Sequence, residues 1–292
     1  MPRRCIDDFR LFNGVSMKSI CFLLVALIST TAVADEWLFN QNFNSFTDGD
    51  TGLFSDGSRA VDSGEGSAEV YSAFAVGNQR TALRLTGKSS TFSGTTANYF
   101  APAQTVTGQL DSWSANWDAM IFSSNASTGN HMAFNFGDLS DTTSSYVSAD
   151  GTMQVSGKGD NVLSVVFDTL DDQIQIWYDG SQIGSSIGTP NVETSNSSQL
   201  FTDTTVSWTR SGGLNVVYAG ETLVSALTIT GYDPGGDDIM AFSADNGDTN
   251  RQATYLDNVN LFTSVPEPTS AVMFGALMLG SLFVTRRKRN VC

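Results

Sequence analysis

Between Asp35 and Thr263 no stretch keeps the three-to-four spacing of apolar residues that an amphipathic helix needs. Short runs rich in Val, Ile, Phe, Trp, Tyr and Thr recur instead, each closed by Gly, Asp, Asn or Ser. Branched and aromatic side chains fit a pleated surface, whereas Gly, Asn and Asp reach the backbone angles of tight turns. The pattern predicts strands over Trp37–Phe43, Ala68–Val76, Thr81–Thr86, Ala115–Phe122, His131–Phe136 and Val162–Asp168. It continues with Gln173–Tyr178, Val206–Arg210, Leu214–Tyr218, Leu223–Thr230, Ile239–Ser243 and Thr254–Phe262. Ile174, Ile176 and Tyr178 alternate with Gln173, Gln175 and Trp177, which gives that strand one apolar and one polar face. Asp179-Gly180 behind it is a tight-turn pair, and Ser211-Gly212-Gly213 marks a second hairpin. About a dozen short strands with short turns mean an all-β, two-sheet antiparallel sandwich or jelly roll.

This body has to hold together by packing alone. The three cysteines, Cys5, Cys21 and Cys292, all lie outside it, so neither disulfides nor thiolate metal sites are available. Some 230 residues are enough for one buried core. Charge narrows the partners. Eight of the fifteen basic residues and only three of the thirty acids lie in the terminal segments, which leaves the body with seven bases, 27 acids and a net charge near −20. Nucleic acid is excluded as a partner, because binding its phosphates rests on Lys and Arg.

Both termini read as export signals. Met17-Lys18-Ser19 followed by the apolar run Ile20–Ile28 and the small residues Ala32 and Ala34 makes a signal peptide, with Met17 as the expected true start. Residues 1–34 are then the leader, cut after Ala34, and residues 35–263 the exported domain. At the other end, residues 264–292 begin with Val265-Pro266-Glu267-Pro268, a stiff spacer that cannot continue a helix or a central strand. A hydrophobic helix is expected over residues 269–285, and Arg286-Arg287-Lys288-Arg289 behind it forms a basic stop-transfer cluster. The uncharged run Ala271–Val284 gives only about 21 Å of helix against a hydrocarbon core of roughly 30 Å, so the span is marginal.

Pro-Glu-Pro, one apolar segment and terminal bases together resemble the PEP-CTERM sorting signal of Gram-negative bacteria. The resemblance implies an exosortase-type processing protease as partner and inner-membrane anchoring through the C-terminal helix. Release to the cell surface or extracellular matrix, in association with exopolysaccharide, would follow.

The body resembles the concanavalin A-like jelly rolls shared by legume-type lectins, laminin G-like domains and several polysaccharide hydrolases. Three segments carry the likeness: Leu163–Thr169; Leu214–Gly220 with Thr222–Thr230; and Met240–Gly247 followed by Tyr255–Leu261, which is similar to a closing hairpin. The resemblance implies that the last strand lies beside the first. It also makes Asp168 the aspartate that ends the metal-binding strand of the lectins. The glutamate expected two residues earlier is Val166, and Asp171 and Asp172 follow too soon for a ligand-bearing loop. No cofactor is expected beyond a single Ca²⁺ using Asp168 with Asp171 or Asp172; the alternative is that these acids cap a tight turn. Asp48-Gly49-Asp50, with Asp56 and Asp62, and Asp233–Asp238 and Asp245–Asp248 are explained by turn chemistry.

Catalysis finds little footing. Retaining glycosidases of this fold need Glu-x-Asp-x-x-Glu on one strand, and Glu36, Glu65, Glu69, Glu193 and Glu221 never make that spacing. His131 is the only histidine, and no Gly-x-Ser-x-Gly elbow exists. Carbohydrate stacking candidates are Trp113, Trp117, Trp177, Tyr178, Trp208 and Tyr232. The expectation is therefore a non-enzymatic exported surface or matrix protein associated with extracellular polysaccharide. The alternative is a lectin-like carbohydrate-binding module, calcium-dependent or not, and a polysaccharide-cleaving enzyme comes third.

Overall fold

A computed structural model describes residues 33–62, 68–72, 80–86, 96–102, 108–122, 131–139, 159–169, 171–189, 192, 200–245 and 253–266. The chain divides into two compact units, Asp35–Ser264 and the terminal segments Met1–Ala34 with Val265–Cys292. Nearly all of the second unit lies outside the described residues. With it fall the leader, Ala32, Glu267, Pro268, the expected helix 269–285 and the basic cluster Arg286–Arg289.

The described residues form strands and turns and contain no helix. In chain order they are β1 Val33–Gln41, β2 Arg59–Asp62, β3 Glu69–Tyr71, β4 Ala82–Thr86, β5 Thr96–Phe100 and β6 Ser112–Phe122. Then come β7 His131–Leu139, β8 Gly159–Asp168, β9 Gln173–Tyr178, β10 Ser181–Gln182 and β11 Ile187–Gly188. The last five are β12 Thr202–Thr209, β13 Gly213–Tyr218, β14 Glu221–Leu227, β15 Ile239–Asp245 and β16 Ala253–Pro266. They build two eight-stranded antiparallel sheets. The first runs β14-β13-β12-β6-β16-β4-β3, with β1 on β16; the second runs β10-β9-β8-β7-β15-β5-β2, with β11 on β9.

Alternation decides which side chains meet between the sheets. Trp113, Ala115, Trp117 and Ala119 of β6 point inward, as do Phe134 and Phe136 of β7, Val165 and Phe167 of β8, and Ile174 and Ile176 of β9. Trp117 stacks on Phe134 at 5.2 Å between ring centres and meets Phe242 edge-on at 4.9 Å. The two-residue turns are of the kind sheet twist favours, with both central residues left-handed. Asp179-Gly180 has φ of 44° and 77°, and Ala219-Gly220 has 53° and 78°.

The all-β sandwich and the pairing of β1 with β16 agree with the sequence expectations. Strands β2, β5, β10 and β11 had no expectation, being short or, like Asn98-Tyr99-Phe100, lacking an alternating pattern. The closing hairpin is corrected: β15 pairs with β5 and β7 in the second sheet, whereas β16 pairs with β4 and β6 in the first. The chain changes sheet between these strands because each buries an apolar face, Met240 and Phe242 from one side and Leu256 and Leu261 from the other.

One side chain pins the loop that precedes β15. Asn161, at φ 58°, accepts from the Asp233 N–H at 3.1 Å and donates to the Asp233 carbonyl at 2.7 Å. Its Oδ1 also lies 3.1 Å from the Tyr178 hydroxyl, whose single hydrogen it shares with the Gly231 carbonyl. Asparagine tolerates the left-handed region that alanine resists. Asn161→Ala is therefore expected to lower stability by about 2–3 kcal/mol, from unpaired loop groups and backbone strain. Urea unfolding measures this, and an unchanged midpoint would mean that the loop stands without the clamp.

Candidate functional site

The outer face of the second sheet, turned away from the core, gathers polar side chains from alternate positions of its strands. Trp177 of β9 stands between Ser164 of β8 and Gln182 of β10, and Gln175 stands opposite Val166, itself opposite Ala133 of β7. Trp177 rests against Ala133 and Val166, whose small side chains leave room for an indole. Its Nε1–H donates to Gln175 Oε1 at 3.0 Å, which holds the ring beside that amide. Deeper on the face, Ser164 donates to Asn135 at 2.7 Å and Asn135 donates to Ser243 at 3.3 Å. Those three are buried, whereas Trp177, Gln173 and Gln175 are half-buried and Gln182 is exposed. The accessible part of the face is thus its β9–β10 side.

The structure sorts the six aromatic candidates. Trp113, Trp117, Trp208 and Tyr232 are buried in the core. Tyr178 donates its hydroxyl to the Gly231 carbonyl at 2.9 Å, and burial with the nearby Asp179 pushes that hydroxyl's pKa up. Among the described tryptophan side chains, Trp177 is the one left half-buried on a polar face.

Further along the same face, opposite Gln173, lies Asp168, at the end of β8 and buried. Its Oδ2 accepts from Gln173 Nε2 at 3.0 Å and Gln175 Nε2 at 3.5 Å. Its Oδ1 accepts from the Asp171 N–H at 3.4 Å and lies 3.6 Å from His131 Nε2. Asp172 looks elsewhere: at φ 48°, its Oδ1 accepts from the Val192 N–H at 3.1 Å and its carbonyl from Thr189 at 2.7 Å. Asp171 is exposed and takes a 3.3 Å bond from Gln173.

Calcium asks for six to eight oxygen ligands. Here both oxygens of Asp168 face nitrogen donors; Asp171 meets it only through the shared Gln173 amide, whose N–H groups occupy the space between them, and Asp172 points to Val192. No group of three His, Cys, Asp or Glu among the described residues could hold a metal. This donor set does not fit Ca²⁺.

The other acidic loops are occupied likewise. Asp48 accepts from Ser72, Asp50 from the Thr47 N–H and Asp56 from Ser58, each tying a turn. Asp238 accepts from the Gly235 N–H at 3.0 Å. The side chains of Asp62 and Asp245, and all of Asp248, lie outside the described residues, as do Glu65 and Glu193. Glu69 is ion-paired with Arg84. Ala34 and Val265-Pro266 are described only as backbone, and they correct the expected boundaries. Strand β1 starts at Val33, before Ala34, and β16 runs into the expected spacer as far as Pro266. A proline is tolerated as the last residue because no neighbour needs its missing N–H there.

No protein-family model matches the chain, and neither does any curated protein. Solved structures do. The carbohydrate recognition domain of Emp46p, in its metal-free form, superposes with a TM-score of 0.53 at 13% identity, over 77% of this chain and 97% of that one. Arcelin-5, a lectin-like defence protein of Phaseolus vulgaris, gives 0.52 at 15% identity, over 78% and 98%. The lectin of Bauhinia forficata in complex with GalNAc gives 0.50 at 16%, over 81% and 100%. The fold is a legume-lectin-like β-sandwich. Identities this low carry the fold and nothing finer. Of the site itself, sequence alternation marks Gln173, Gln175 and Trp177 as one face; Ser164, Asn135 and Ser243 were not singled out, because single polar residues in apolar strands carry no pattern.

Proposed function

We propose that this chain is an exported, non-enzymatic carbohydrate-binding module that holds extracellular polysaccharide against Trp177 without calcium. One observation carries the reading: Trp177 is half-buried on a polar sheet face, with the Gln175 amide bonded to its edge and Gln182 opposite it on β10. An indole face packs against the C–H side of a sugar ring, and neighbouring amides supply both a donor and an acceptor for its hydroxyls. The lectin-like fold supports the same reading as a scaffold. The signal peptide through Ala34 and the PEP-CTERM tail, Val265-Pro266-Glu267-Pro268 with its helix and Arg286–Arg289, supply the route. An exosortase-type protease acts there, and the chain passes from the inner membrane to the cell surface or matrix.

A glycan array with and without EDTA tests the binding. Wild-type protein is expected to bind the same glycans under both conditions, and Trp177→Ala to lose at least tenfold in affinity, about 1.4 kcal/mol, with its melting temperature unchanged. Silence across the array, or equal binding by Trp177→Ala, would sink the reading; loss of binding in EDTA would restore calcium to it. For the tail, Pro266→Ala with Pro268→Ala is expected to block processing, seen as a heavier, membrane-retained chain.

A further inference from the structure

Gln173, Gln175 and Trp177 occupy alternate positions of β9, so their side chains stand in a line on one face. Directly across on β8, Gln173 meets Asp168, but Gln175 meets Val166, which has no polar group to offer an amide. The Gln175 amide is satisfied along the diagonal instead, a reach that long side chains in a sheet can make. Its Nε2 donates to Asp168 Oδ2 at 3.5 Å, and its Oε1 accepts from Trp177 Nε1 at 3.0 Å.

Polarity gives this chain of bonds a direction. An indole N–H only donates, and an ionised carboxylate only accepts. An amide between the two has one satisfactory orientation, oxygen toward the indole and nitrogen toward the acid. Asp168 thus decides which end of Gln175 faces Trp177.

The acid is anchored in turn. Gln173 Nε2 donates to it at 3.0 Å and the Asp171 N–H at 3.4 Å, and His131 Nε2 on β7 lies 3.6 Å away. The nitrogen donors that leave no room for a cation are therefore the groups that hold the carboxylate in place. Ala133 and Val166 supply an apolar floor under the ring. An indole fixed at its floor and at its Nε1 edge has little rotamer freedom left to lose when a ligand arrives, and such preorganisation raises affinity.

We propose that Asp168 is the positioning residue of the Trp177 surface: its carboxylate sets the Gln175 amide, and the amide sets the indole on which a sugar ring stacks. Its role in binding rests on the reading of Trp177 as a glycan surface; the orienting of the indole does not.

Fluorine NMR of the full chain labelled with fluorotryptophan reads the indole, and calorimetry with malto-, cello-, laminari- and mannohexaose reads binding. Trp177→Phe assigns the Trp177 resonance. Asp168→Ala removes the acceptor, and Gln175→Glu sets a second carboxylate against the first. Each is expected to shift and broaden the Trp177 resonance and to leave those of the buried Trp113, Trp117 and Trp208 in place. Each is also expected to weaken the preferred hexasaccharide about fivefold, the effect of one lost hydrogen bond. Adding Asp168→Asn to Gln175→Glu exchanges donor for acceptor between the two positions. That pair is expected to restore the resonance and most of the affinity, which a role in packing alone would not do. Should Asp168→Ala melt early, Gln175→Glu and its rescue carry the test, because Gln175 is half-buried on the outer face and lies outside the core.

Gln175→Glu left unrescued by Asp168→Asn, or a Trp177 resonance indifferent to Asp168→Ala, would overturn the role of Asp168 and leave Trp177 as a glycan surface standing. Wild type binding no hexasaccharide, with the resonance responding as expected, would overturn Trp177 as a glycan surface and leave Asp168 as the residue that orients the indole.

Discussion

Trp117→Ala is expected to lower stability by about 4 kcal/mol, a large share of what holds a cysteine-free sandwich together. The indole is 1% exposed, stacked on Phe134 within 8° of parallel, and meets Phe242 and Phe167 edge-on at 4.9 and 6.2 Å. Removing it opens a cavity between the sheets that three neighbouring rings cannot fill without leaving their rotamers. A sharper contrast comes from phenylalanine. Trp113 Nε1 donates to the Tyr232 hydroxyl at 3.1 Å, whereas Trp117 Nε1 is buried without a hydrogen-bond partner among the described residues. The two substitutions delete the same atoms. Trp113→Phe also strips a buried hydroxyl of its donor, while Trp117→Phe removes a donor that was itself a penalty. Trp113→Phe is expected to cost about 1–2 kcal/mol more than Trp117→Phe, measured by urea unfolding of both. Equal losses would mean that Trp117 Nε1 is satisfied in solution.

The class of fold was legible wherever two-residue alternation met a turn signal. Gln173–Tyr178 has the bounds that sequence alternation sets, and Asp179-Gly180 makes the expected turn. The sheet each strand joins was not legible. Met240–Ser243 and Tyr255–Leu261 look alike along the chain, and only burial on opposite sides of one core separates them. Aromatic candidates failed for the same reason. Trp113 and Trp177 are equally plausible platforms in sequence, but Trp113 alternates with Ser112 and Ser114 and faces the core, whereas Trp177 alternates with Ile176 and faces away. Asp168 is the last residue of β8. The nitrogen donors around it come from β7 and β9, which no reading along one strand could supply.

Raising the pH from 4 to 8 is expected to weaken the fold, and Asp238→Asn to remove most of that loss. Asp238 is buried, and desolvation pushes its carboxyl up to about 7. Asp237, Asp138 and Asp233 add to the rise, and the Gly235 N–H opposes it. In the unfolded chain the same group titrates near its ordinary value of 3.8. Between those values the native state holds a proton that the unfolded state has released, so stability falls as pH rises. It is fully present below pH 4 and lost through pH 7, a window worth about 4 kcal/mol at 1.4 kcal/mol per pH unit. Asparagine has the neutral shape of the protonated acid and can still accept from Gly235. The variant should match wild type at pH 4 and exceed it by several kcal/mol at pH 8, read from urea midpoints across that range. Asp257, held up to about 6 by burial but opposed by the Asn258 N–H and Arg80, contributes a second, smaller slope in the same direction. A gap between wild type and Asp238→Asn that stays constant with pH would place the effect in packing and leave the proton out of it.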